Sequence, residues 1–303
     1  MLAISGISKR ERRLILTQYA FLTPQLILFV GLTIVPFIVA IPMLFTDQAN
    51  FTDPQVNPVG LSNFTALFRD ASIQAEYMPA LRRTVVFVAM NYLMIFLFGL
   101  SLALLLYEVG FHSGFFTVVY LPLMASGIAI GSMAVMLFAR GTGTVNLLLQ
   151  ELGVISKPFD IYTPVGTGIL LPFLAGWRWA GFNMAIFLSG LLAIPKETIE
   201  ASIVDGASYW QRLIRVYFPQ MWPSFILAST MCLIGSWSAF DELVAMGALY
   251  VNPEAKFLSI VFFTYGFQIN RLSLGMTLAL ETFLPLTLLG IVLQWLQRRV
   301  QYY

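Results

Sequence analysis

Six apolar stretches, each long enough to cross a bilayer, limit what this chain can fold into. They run approximately Tyr19–Phe45, Thr84–Tyr107, Phe115–Phe138, Val165–Ile194, Ser224–Tyr250 and Leu272–Leu296. A hydrocarbon core about 30 Å thick takes about 20 residues of helix, and a helix satisfies its own backbone polar groups inside lipid. The composition agrees: of 303 residues, 58% are hydrophobic and 11% charged, whereas about 25% of a soluble domain is charged. The expectation is an all-α integral membrane protein with six spans in a single transmembrane domain over residues 1–303. The fifth stretch is interrupted by Asp241 and Glu242. Phe257–Phe267 is too short to span and reads as a re-entrant or surface helix. The first stretch is too long for a cleaved signal peptide, and no small-residue cleavage site follows it.

Little in the chain points to chemistry of its own. Cys232 and His112 are the only residues of their types, so neither a disulfide framework nor a multi-Cys or multi-His metal site is expected, and no catalytic residue is assigned. No GxxxxGK[ST] loop is present to cradle phosphates, so any ATP hydrolysis belongs to another chain. The net charge of +2 gives no reason to expect nucleic acid. Lys9, Arg10, Arg12 and Arg13 precede the first span, which places the N-terminal segment 1–18 in the cytoplasm. Six spans return Arg298 and Arg299 to the same side. Arg69, Arg82, Arg83, Arg140, Lys157, Arg178, Lys256 and Arg271 then fall on the outer side against the rule, among interleaved acids. No internal repeat is evident, which counts against a secondary carrier built from inverted repeats.

Between the fourth and fifth spans lies a polar island, EASIVDGASYWQRLIRVYFP, at 200–219. Glu200 and Ala201 belong to a helix that Asp205-Gly206 should end, because glycine takes the left-handed conformation found at helix C-termini. A second helix should span Ala207 to Val216, with Pro219 closing it. The result would be a short bent helix along the membrane surface. The pattern resembles the EAA loop of ABC-importer permeases, in which Glu-Ala-Ala leads through three residues to Asp-Gly-Ala and then to Leu-Pro. Glu200, Ala201, Asp205, Gly206, Ala207, Gln211 and Pro219 match. Ser202, Leu213 and Phe218 replace the usual Ala, Phe and Leu.

Further segments resemble the sugar-type permeases of the maltose and glycerol-3-phosphate importers. They are VGLSNFTALFRD with ALRRTVVFV, FFTVVYLPLMASGIAIGSMAVMLF, and GWRWAGFNMAIFLSGLLAIPKETIEAS. Arg83-Thr84 stands where that family usually has Asn-Thr. The resemblance implies the type I importer permease fold, with residues 195–222 as a cytoplasmic coupling loop in a bacterial or archaeal cytoplasmic membrane. It implies a second homologous permease, two ATPase subunits carrying ATP and Mg, and an extracytoplasmic solute-binding protein. In that setting Glu200 would meet a basic group of the ATPase, Gly206 would allow the bend, and Ala207 would permit close backbone approach. The competing class is a self-sufficient homo-oligomeric channel or secondary carrier, which would not require the Asp-Gly-Ala spacing.

The solute path is less sharply marked. Acids inside a membrane usually face a cavity or a partner, so Asp241, Glu242 and Glu281 either line a path or pair with Arg178 or Arg271. Sugars are held by aromatic faces and side-chain hydrogen bonds. Trp177, Trp179, Asn183, Trp237, Asn91 and Tyr92 offer these, against the plainer alternative of packing or an interfacial belt. Trp237 and Asp241, at i and i+4, would share a helix face. Gly127 and Gly131 form a GxxxG, consistent with close helix packing.

Overall fold

A computed structural model describes residues 9–110 and 113–300, and the side chains of 9, 11, 12, 113 and 296–300 are left out. His112, the first eight residues and Gln301 lie outside the described residues. Among the described residues there is no strand, only an isolated bridge between Thr46 and Pro58. The long helices are α1 (9–43), α3 (Ala71–Val109), α7 (Gly166–Leu192), α10 (Trp222–Trp237) and α13 (Leu272–Val300). Shorter ones are α2 (Ser62–Arg69), α4 (Ser113–Tyr120), α5 (Gly127–Leu137), α6 (Thr144–Glu151), α8 (Lys196–Val204), α9 (209–220), α11 (Asp241–Ala245) and α12 (Leu258–Gln268). By length and apolarity four helical stretches can each cross a bilayer, and six can if each of two bent pairs counts as one span.

The departures from six straight rods have local causes. The third span is two helices meeting at 89°. Pro122 lies in a 3-10 turn, Ala125 is extended, and Ser126 caps α5 by accepting from the Ala129 N–H at 3.2 Å. The second span starts thirteen residues before the apolar stretch. Asp70 caps α3 by accepting from the Ser72 N–H at 2.9 Å and its hydroxyl at 2.6 Å, and Gly110 ends it at φ +91°.

Several prolines do not end the helices that contain them, and Pro24, Pro79 and Pro285 stand within plain α-helix. Pro36, Pro172 and Pro219 each follow a π turn, at Val30–Ile34, Gly166–Leu170 and Leu213–Tyr217. Proline lacks an N–H and crowds the carbonyl one turn back. One extra residue in that turn removes the conflict. The expectation that Pro219 closes its helix is therefore corrected: α9 continues through it to Gln220.

The fifth stretch also breaks. α10 stops at Trp237, Phe240 adopts φ −142° and ψ −55°, and α11 restarts at Asp241. Trp237 and Asp241 therefore do not share a helix face.

Packing is layered along the bundle. One end is built around Met184, Phe187 and Leu191 of α7, Ala103 and Leu106 of α3, and Leu213, Tyr217 and Met221 from the segment after α8. At the other end Ile73 and Tyr77 of α3 meet Leu258 and Val261 of α12 and Leu274 and Leu278 of α13. A central layer joins Phe87, Ile130, Leu171, Leu243 and Phe257. α1 stands apart, with none of its described residues buried within the chain.

Candidate functional site

The polar island folds into two helices joined by two interlocking caps. α8 ends in a Schellman motif: Gly206 sits at φ +75°, its N–H donates to the Ile203 carbonyl at 3.0 Å, and the Ala207 N–H donates to Ser202 at 3.0 Å. These bonds satisfy carbonyls that a helix end leaves open. Two residues later Ser208 opens α9 through a capping box with Gln211. The Gln211 side chain accepts from the Ser208 N–H at 2.8 Å, and the Ser208 hydroxyl accepts from the Gln211 N–H. Each residue is thus held from both sides. The second helix begins at Tyr209 rather than at Ala207.

One face of this hairpin is anchored and the other is bare. Leu213 and Tyr217 are buried in the bundle, and the Tyr217 ring meets Tyr107 of α3 edge-on at 5.9 Å. Glu200, Ala201, Asp205, Gly206, Gln211 and Pro219 are exposed, while Ser202 and Ala207 are half-buried. Around them Val204 is 87% exposed and Trp210 68%, with Ile203 and Ile214 also open. Sequence reasoning missed these four apolar residues. Trp210 and Ile214, one turn apart, were the available signal. Tyr209 is partly covered, and burial followed by the Glu108 carboxylate pushes its phenol up.

A half-open cavity of about 610 Å³ is bounded by α3, α7, α10 and α11. Its wall follows helical periodicity. Phe87, Asn91 and Ile95 come from α3, and Ala175, Arg178, Trp179, Phe182 and Asn183 come from α7; spacings of three and four keep each set on one face. Asn91 is 4% exposed. Its amide donates to the Ser236 hydroxyl at 2.6 Å, while its Oδ1 has no partner. The Asn183 amide donates to the Trp179 carbonyl at 2.9 Å. Arg178 lies 5.5 Å from the Trp179 ring centre and binds Glu242 at 2.8 Å, leaving its buried Nε unpartnered. Asp241 is exposed and lines the same space.

Of the six aromatic and amide residues named for the solute path, Asn91, Trp179 and Asn183 line this cavity, as does the acid Asp241. The other three do not. Trp177 lies about 200° around α7 from Trp179 and is half-exposed. Tyr92 turns to Ser229, at 2.8 Å. Trp237 packs beside the Leu67, Tyr77 and Leu258 cluster, with its Nε1 buried and unpartnered. Of the three acids, Glu242 takes Arg178, and Glu281 keeps a buried Oε2 without a partner. Arg178, Trp179 and Glu242 belong to the cavity group. All three stood among the sequence candidates, Trp179 as an aromatic face and Arg178 as a partner for the acids.

The GxxxG sets the position of the two acids. A side chain at Gly127 would meet the Asp241 Cβ at 2.7 Å, and one at Gly131 would overlap the Glu242 carbonyl oxygen. α5 and α11 therefore touch backbone to backbone.

The sequence matches the family model described as "Binding-protein-dependent transport system inner membrane component" over residues 25–302. The chain belongs to that family. It is similar to the probable starch degradation products transport system permease protein AmyD of Thermoanaerobacterium thermosulfurigenes, at 26% identity over 93% of this chain and 94% of that protein. It is also similar to the arabinooligosaccharides transport system permease protein AraP of Halalkalibacterium halodurans, at 27% identity over 90% and 85%. Among solved structures, one of a bacterial ABC transporter involved in the import of the acidic polysaccharide alginate superposes with a TM-score of 0.74 at 22% identity, covering 93% of this chain and 95% of that one. The family member thus has the all-α, multi-pass fold of ABC importer permeases, as its polar island and apolar stretches imply.

Proposed function

We propose that this chain is the permease subunit of an ATP-driven importer for a carbohydrate or polyol and forms half of the translocation path. A second homologous permease completes the path. Two ATPase subunits, carrying ATP and Mg, bind the α8–α9 hairpin on the cytoplasmic side, and an extracytoplasmic binding protein delivers the solute. Both termini are cytoplasmic in this reading. The carbohydrate class rests on relatives named for starch products and arabinooligosaccharides.

The observation that carries the coupling role is the bare apolar face of a rigidly capped hairpin. Val204 and Trp210 are open to solvent at the tip, while Leu213 and Tyr217 are set into the bundle behind it. Exposed apolar groups clustered on one face mark a docking surface. Force applied there passes through Leu213, Tyr217 and Met221 to α3 and α7, so closure of the ATPases tilts the helices as a unit.

The test is co-expression with a candidate ATPase, partner permease and extracytoplasmic binding protein. The four components should co-purify and support ATP-dependent uptake of a neutral oligosaccharide such as maltotriose or arabinotriose into vesicles. ATP-independent flux by this chain alone would favour a self-sufficient channel or carrier.

A further inference from the structure

The cavity wall contributed by this chain contains three charged residues, Arg178, Asp241 and Glu242. Arg178 is committed to Glu242 through a 2.8 Å bond in which both side chains are largely covered. Its charge is therefore compensated within the wall. Asp241 is exposed, forms none of the ion pairs found among the described residues, and is fixed at the start of α11 by the close approach of Gly127. The sum over the wall is one uncompensated negative charge. Two buried polar atoms of the same wall lack partners: the acceptor Asn91 Oδ1 and the donor Arg178 Nε. Buried polar groups left unpaired are costly, and a hydroxyl, which both donates and accepts, satisfies either one. The Trp179 ring lies beside them.

We infer that this cavity selects solutes by charge: it accepts uncharged polyhydroxy compounds and rejects those carrying carboxylate or phosphate. The inference rests on the cavity being the solute path of the importer proposed above. Asn91 Oδ1 and Arg178 Nε are the hydroxyl partners, Trp179 supplies an apolar sugar-facing plane, and Asp241 repels anions at the exposed part of the wall. An anion entering would meet a like charge at the exposed part of the wall, and like-charge juxtaposition disfavours its entry.

The charge of the wall is measurable without knowing the solute. A single cysteine is placed at Ser238 or Gly235, both of which line the cavity, in a Cys232→Ser background of the assembled transporter in membranes. Its rates of modification by a cationic trimethylammonium-ethyl and an anionic sulfonatoethyl methanethiosulfonate are compared with those of a free thiol in solution. The cation-to-anion ratio should exceed the free-thiol ratio by on the order of tenfold. It should fall towards the free-thiol ratio in Asp241→Asn and rise in Arg178→Gln. A parent ratio at or below that of the free thiol overturns the inference, as does a ratio unmoved by Asp241→Asn or failure of both cysteines to react. The assay does not depend on uptake, so failure of the carbohydrate reading leaves its result standing. Uptake of trigalacturonate as fast as a neutral trisaccharide would overturn the charge selection while leaving the importer reading intact.

Discussion

Gly131→Ala is the smallest change that should disturb the cavity from outside it. An added Cβ would lie 2.8 Å from the Ala245 Cβ and 3.0 Å from the Glu242 carbonyl carbon, and would overlap the attached oxygen. Carbon atoms rest at about 3.5–4.0 Å, so α5 and α11 must separate by roughly 1 Å. The obstructing atoms are mostly backbone and cannot rotate away. Overpacking of this kind costs about 1–3 kcal/mol. At about 2–4 °C per kcal/mol for a chain of roughly this size, the apparent melting temperature of the assembled transporter should fall by several degrees. The displacement also carries Glu242 away from Arg178, whose bond is only 2.8 Å long, so uptake should fall in the surviving complex. Gly290→Ala is the control, because no atom lies within 4 Å of a Cβ there. The assay is thermal inactivation of detergent-solubilised complex, scored by monodisperse fraction and by uptake after reconstitution. A Gly131→Ala variant as stable as Gly290→Ala would refute the backbone contact between α5 and α11.

Gly206→Pro removes the N–H that binds Ile203 at 3.0 Å and cannot adopt the φ of +75°, so it should abolish the interhelical bend. It and Glu200→Ala should leave the protein in the membrane yet uncouple uptake from ATP hydrolysis, and normal uptake in both would remove the coupling role from the hairpin. Cysteines at Thr52 and Val204 should be labelled by impermeant reagents from opposite sides, and same-side labelling would contradict the topology. Asp70 is held below the ordinary carboxylate range, first by the Ser72 hydroxyl and then by the Ser72 N–H. Its stabilisation is present above the unfolded pKa and lost as pH falls through the depressed folded value. The thermal advantage of the parent over Asp70→Asn should therefore shrink on acidification below the ordinary Asp range, and a constant difference would count against the cap.

The general plan was legible because it rests on the two strongest signals a sequence carries: apolar length and a long, rigidly spaced motif. The left-handed Gly206 was legible because few residues other than glycine adopt that backbone. Pro219 misled, since the π turn at Leu213–Tyr217 that lets the helix continue through it is invisible in composition. The break at 238–240 was marked only by the acids that follow it, Asp241 and Glu242, because SAF carries neither Pro nor Gly. Trp177 was chosen for its chemistry, whereas its position on α7 decides what it can face. Trp179, named with it, stands one turn before Asn183 and does line the cavity. The apolar tip of the hairpin escaped notice because Val204 and Trp210 look like ordinary helix residues until the fold shows that nothing in the chain covers them.

The central claim is that the α8–α9 hairpin is the surface on which an ATPase docks. A photo-crosslinking amino acid placed at Val204, with a second placement at Thr52 for comparison, tests it most directly when the chain is expressed with its partner subunits in native membranes. The expected result is a covalent adduct between position 204 and the ATPase subunit, none from position 52, and a yield that changes when ATP is trapped with vanadate. An ATPase that co-purifies but is never captured from position 204, or is captured equally from position 52, would contradict the account.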